Sequence, residues 1–328
     1  MVRMPKIAID PYVVMLVGTM VLASLLPCRG QGAAIFAGLT DAAIILLFFL
    51  HGAKLSREEI RAGIGHWRLH IVVLMATFML FPLLGLLVSG LAIALGLAGV
   101  APGMLYLSLL PSTVQSSIAF TALAGGNVAA AVCAASLSNV LGIFLTPALV
   151  ALFMHSSGSG VAISGQAVQT ILLQLLLPFV VGHLCRPLVI GFIRRHKPLV
   201  TAVDRGSILL VVYTAFSAAV VAGLWQRIGL DELAFAFVAS CAILGLVMAI
   251  TLFAARRLGF SRADEIVILF CGSKKSLASG VPMAGAIFPA AAVGSIILPL
   301  MIFHQIQLIV CAAVAAAYRR SATAAGCD

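Results

Sequence analysis

Two adjacent lysines, Lys274 and Lys275, lie between the apolar runs 266–271 and 277–288, in the polar segment Gly272-Ser-Lys-Lys-Ser276. A second polar segment, Pro111-Ser-Thr-Val-Gln-Ser-Ser117, divides the apolar runs 102–110 and 118–124. A lysine inside such a run costs a few kcal/mol in a membrane, so it must face a cavity or a partner. A helix break also frees backbone N–H and C=O groups, which persist only where protein, water or a ligand meets them. Each half-helix N-terminus presents a partial positive charge suited to an anion. Gln115, Ser116, Ser117, Lys274, Lys275 and Ser276 are therefore the candidate substrate-binding residues, with hydroxyl, amide and ammonium groups matched to a small anion. Neighbouring side chains at a break point in different directions, so one lysine faces the site and the other packing. The chemistry is binding, not catalysis: HExxH, GxSxG and P-loop signatures are absent, so neither an enzyme nor a cofactor is expected.

The elements that position these residues follow from composition. Of 328 residues, 62% are hydrophobic and 9% charged, whereas a soluble domain is about a quarter charged. An aqueous globule is excluded. The net charge of +10 is spread through loops with no aromatic patch, which excludes nucleic-acid binding. Seven cysteines, an odd number with no CxxC pair, argue against a disulfide framework or a zinc site. Roughly 17 to 25 apolar residues make a membrane span, and the chain divides into ten: 11–27, 38–53, 67–97, 102–124, 128–153, 164–186, 205–224, 231–255, 264–288 and 291–317. The first follows Arg3 and Lys6 as a signal peptide would, but Pro27-Cys28-Arg29 is a poor cleavage site, so it reads as a membrane helix. With ten spans, sixteen of the twenty Lys and Arg residues fall on the side of the termini, and Arg29 and Arg227 on the other. The positive-inside rule then places both termini in the cytoplasm, in a plasma (inner) membrane.

The chain reads as two halves, 1–154 and 164–328, joined by a Ser/Gly-rich external linker, 155–163. Five spans per half make the second half inverted, a common plan of secondary transporters, whose sites lie where helices break. The two interruptions stand in corresponding fourth spans: Pro111 and Lys275 are 164 residues apart, half the chain. The other polar residues have plainer readings. Asp41, after Thr40, reads as a helix cap, and Asn139, Gln305 and Gln307 as interhelical hydrogen-bond partners. His183 and His304 read as packing residues, His51, His66 and His70 as interfacial, and Arg57-Glu58-Glu59 as a solvated loop.

Four stretches carry a likeness to a known family: Leu47-Phe-Phe-Leu-His-Gly-Ala-Lys-Leu-Ser56; Pro111 to Phe120; Gly126-Asn-Val-Ala129 with Leu145-Thr-Pro147; and Cys271-Gly-Ser-Lys-Lys-Ser-Leu-Ala-Ser-Gly-Val-Pro-Met283. Over nearly its whole length the chain resembles the bile acid:sodium symporter family, in its sodium/bile acid cotransporter 7-like branch, as a bacterial member. The resemblance implies ten helices in two inverted repeats, with panel and core domains that interleave helices of both. It also implies that broken helices four and nine cross behind a substrate cavity and help form two sodium sites. Carried over by position, the polar pair on helix four falls on Ser116 and Ser117. The hydroxyl ligands of helix five fall on Ala131 and Ala135, the glutamate of helix nine on Phe270, and the following amide on Lys274. A hard cation wants oxygen ligands, so this chain departs from the family at its sodium positions. The leading reading is a secondary transporter of a small organic anion working by alternating access, with sodium or a proton as coupling ion. The alternative is a cation/proton exchanger of related architecture, for which Asp41 is the one acidic carrier within a span.

Overall fold

The computed structural model describes residues 11–54, 66–156 and 172–325, and among these every regular element is a helix. In chain order they are α1 (Pro11–Leu25), α2 (Gly30–Lys54), α3 (Trp67–Ala94, with a π-helical turn at Ala76–Leu80), α4 (Ala101–Ser108), α5 (Gln115–Leu123) and α6 (Val128–Ser156). There follow α7 (Leu177–Leu184, preceded by a π-helical turn at Leu172–Leu176), α8 (Arg186–Arg195), α9 (Lys197–Val221), a single helical turn at Leu224–Arg227, α10 (Leu230–Arg257), α11 (Arg262–Gly272), α12 (Leu277–Ile287) and α13 (Ala290–Ala325).

Six of these, α2, α3, α6, α9, α10 and α13, are long and apolar enough to cross a bilayer; the pair α7–α8, bent by 89°, makes a seventh if it counts as one span. Large apolar side chains stand on the outside, among them Leu87 (70% exposed) and Leu152 (59%). Exposure on that scale in such a chain places its outer surface in lipid. The protein is an integral membrane protein.

The breaks fall where the polar segments predict, with one shift. The first comprises residues 109–114, so Gln115, Ser116 and Ser117 form the opening turn of α5 instead of lying in the break. Pro111 explains the position: it lacks an N–H and disfavours helix at the residue before it. The second lies between Gly272 and Leu277, where the Ser276 side chain caps α12 by accepting the Ser279 N–H.

Three expectations need correction. α2 begins at Gly30, not 38, so Asp41 is an exposed residue inside a helix and not its cap; Thr40 instead hydrogen-bonds Thr214. α9 begins at Lys197, and α13 continues to Ala325. In each case the helix runs past the stretch that apolar composition marked out. α6 runs through Ser156, and the rest of the linker, 157–163, lies outside the described residues.

Helices α1, α2, α7 and α9 pack on one another, and α9 also lies against α12 and α13. The α2–α7 contact is backbone on backbone. A Cβ on Gly52 would stand 2.0 Å from the Phe179 carbonyl oxygen, and one on Gly182 2.0 Å from that of Phe49. Gly182→Leu should therefore lower the thermal midpoint of the purified protein, by at least the ~1–3 kcal/mol of ordinary overpacking. An unchanged midpoint would contradict this contact.

Candidate functional site

The two breaks cross and satisfy each other. The Ser276 N–H donates to the Pro111 carbonyl at 2.9 Å. Ser112 Oγ donates to the Cys271 carbonyl (2.6 Å) and Ser117 Oγ to that of Phe270 (3.1 Å), which occupies the C-terminal carbonyls of α11. Beyond α4, Thr146 Oγ1 donates to the Leu109 carbonyl (2.8 Å) and Asn139 Nδ2 to that of Ser112 (2.6 Å). The last turn of a helix leaves carbonyls without partners, and hydrocarbon offers none.

Lys275 completes this set. Its Nζ donates to the carbonyls of Thr77 (2.7 Å), Ser108 (2.8 Å) and Leu110 (2.6 Å), and lies 4.2 Å from the centroid of the Phe81 ring. An ammonium has three donors, so all are used. Thr77 belongs to the π-helical turn of α3, while Ser108 and Leu110 stand at the C-terminal end of α4, where the helix dipole favours a cation. The peptide of Lys275 is pinned as well: its N–H donates to Gln307 Oε1 and its carbonyl accepts from Gln307 Nε2, both at 2.9 Å.

Lys274 points elsewhere. It is fully buried, with Nζ 3.9 Å from the Phe120 ring centroid and 5.6 Å from that of Phe270, and has no hydrogen-bond partner among the described residues. Ser116 donates to Thr113 Oγ1 (3.1 Å), itself in contact with Ser117. Ala131, Ala135 and Phe270 are buried in apolar clusters. The positions that the resemblance implies for sodium thus hold two hydrogen-bonded serines, three apolar side chains and a lysine. Among the described residues no cluster of three or more His, Cys, Asp or Glu residues can hold a metal.

Beside the crossing lies a cavity of about 260 Å³. One wall carries Phe48, His51 and Lys54 of α2, Phe179 of α7 and Asp204 of α9; the other carries Gln115 of α5, Ser136 and Asn139 of α6, and Ser279 of α12. Lys54 and Asp204 form an ion pair. Asn139 ties the cavity wall to the crossing, because it holds the Ser112 carbonyl through Nδ2 and accepts from Ser279 Oγ (2.8 Å) through Oδ1. Of the six candidates from the sequence, Gln115 lies on this wall, while Ser116, Ser117, Lys274, Lys275 and Ser276 lie outside the cavity lining. Sequence reasoning reads His51 as interfacial, counts Lys54 only as one of the basic residues on the side of the termini, and does not single out Asp204. The available signal was Lys54, inside one of the stretches that carry the family likeness.

A membrane protein that is helical among its described residues, and whose two broken helices cross beside a cavity, has the build of a transporter. Residues 10–320 match the SBF-like CPA transporter family, and the chain belongs to that family. It is 54% identical over 312 residues to the Escherichia coli (strain K12) protein named "Putative symporter YfeH", covering 95% of this chain and 93% of that one. It is also 30% identical to "Sodium/bile acid cotransporter 7" of Danio rerio over 276 residues (83% of this chain, 81% of that one). The protein of the same name in Mus musculus is 30% identical over 275 residues (81% and 79%).

Proposed function

We propose that this protein is a secondary transporter that moves a small organic anion across the inner (plasma) membrane by alternating access. The observation that carries the reading is the mutual satisfaction of two helix breaks half a chain length apart, beside a cavity that separates two groups of helices. On this reading the chain has ten spans in two inverted five-helix repeats, 1–154 and 164–328, with 155–163 outside and both termini in the cytoplasm. Helices α1, α2, α7, α8 and α9 act as the panel, the others as the core, and movement of one against the other exposes the cavity to each side in turn. Substrate and lipid are the partners.

The relatives named as sodium/bile acid cotransporters support ion coupling in this fold. Here the Lys275 ammonium stands at the C-terminal end of α4 as a tethered cation. Its hold on three carbonyls supports transport that is indifferent to sodium, which leaves a proton as the coupling ion. The cation/proton exchanger remains the second reading, without an observation of its own to favour it.

Thiol labelling tests the site. A cysteine at Gln115 should react with water-soluble reagents and be protected by substrate, whereas cysteines at Ser117 and Ser276, buried at 0% and 3% exposure, should be inert in this conformation. Inertness of Gln115→Cys would sink the reading of the cavity as a water-filled pathway. For topology, Ser159→Cys should be labelled by an impermeant reagent on intact cells; labelling confined to permeabilised cells contradicts ten spans.

A further inference from the structure

Resting on the transporter reading, we propose that Lys54 is the counter-ion for the substrate's anionic group, and that Asp204 holds that group's place in the empty protein. Among the described residues, Lys54 is the one lysine or arginine that lines the cavity. Its partner Asp204 pairs through Oδ2, while Oδ1 is buried with no hydrogen bond among the described residues. The pair is partly exposed, with the two side chains 34% and 20% accessible, so it is a weak one, and an anion that reaches Lys54 displaces a carboxylate that water then solvates.

The opposite wall suits the same ligand. The N-terminus of α5 opens at Gln115 with no side-chain cap, so its partial positive charge faces the cavity. Gln115 and Ser136 add an amide and a hydroxyl group, and Phe48, Ile143 and Phe179 an apolar surface. The ligand class is a small organic monoanion, a carboxylate or sulfonate on an apolar body, in keeping with the cavity's size. Because Lys54 belongs to one helix group and α5 to the other, a bound anion bridges the two surfaces that must move past each other.

Charge-selective labelling decides the matter. Gln115→Cys is placed in a protein whose Cys28, Cys185, Cys241 and Cys327 are serines, and modified by sulfonatoethyl or trimethylammonioethyl methanethiosulfonate. With the ion pair intact the two rates should be similar. Asp204→Asn frees Lys54 and should raise the sulfonate-to-ammonium rate ratio about tenfold; Lys54→Gln should lower it about tenfold, a change of ~1.4 kcal/mol; Lys54→Arg should keep the parental ratio. Benzoate should slow the sulfonate reaction in Asp204→Asn but not in Lys54→Gln. A ratio moved by neither variant, or in the same direction by both, overturns the proposal while the cysteine still reacts and the transporter reading stands. If Asp204→Asn does not fold, an unchanged ratio in Lys54→Gln overturns it alone. A cysteine inert to both reagents overturns the transporter reading itself.

Discussion

Lys275→Met should abolish transport and destabilise the fold by about 3–5 kcal/mol, whereas Lys274→Met should leave the fold intact. The two residues are adjacent, both are fully buried, and the substitution keeps volume while removing charge. They differ in what they leave behind. Without its ammonium, position 275 leaves the carbonyls of Thr77, Ser108 and Leu110 facing a thioether that donates nothing. Breaking a buried charged set by deleting one partner costs ~3–5 kcal/mol, because the survivors stay buried and unpaired. Position 274 strands no hydrogen-bond acceptor among the described residues, since its ammonium has no hydrogen bond to them and rests on the faces of Phe120 and Phe270. A methionine there keeps the aromatic contact through sulfur and removes a desolvation penalty. Thermal unfolding of the two purified variants checks this; equal losses, or a larger loss for Lys274→Met, would contradict the assignment.

Gln307→Leu should be nearly as severe. Its side-chain amide mirrors the peptide of Lys275, accepting from the N–H and donating to the carbonyl, and is itself fully buried. Leucine fills the space but leaves both peptide groups of the second break without partners, at ~1–3 kcal/mol each. The loss should also loosen the aim of Lys275 at its three carbonyls, so transport falls by more than stability alone accounts for. Gln307→Glu, which keeps the acceptor and drops the donor, should fall between. A Gln307→Leu protein with parental stability and transport would mean that the break is held by other contacts.

The two helix breaks that both predictions concern were legible in the sequence, and the reason is energetic. Polar residues inside apolar runs are expensive, so Pro111–Ser117 and Gly272–Ser276 announce themselves, and their separation by half the chain is what leads to the reading of two repeats. The division of labour between Lys274 and Lys275 was not legible, because it depends on a π-helical turn in α3 and on the end of α4, neither adjacent in sequence. The cavity wall was hidden for a similar reason. Lys54 and Asp204, 150 positions apart, each look like a solvated charge at the end of a helix until α2 and α9 are brought together. Asp41 was misread because α2 begins eight residues before its apolar run, at a glycine with φ of 58°.

The most direct test of the account is flux in liposomes that contain the purified protein. Labelled small carboxylates and sulfonates are offered from sodium-free potassium buffer and, separately, under an inward sodium gradient, with parent and Lys275→Met proteins side by side. The account predicts that at least one anion enters at the same rate with and without sodium, that an imposed pH gradient changes that rate, and that the variant transports none. Uptake that requires the sodium gradient would contradict it, as would collapse of a pH gradient with no organic anion moved.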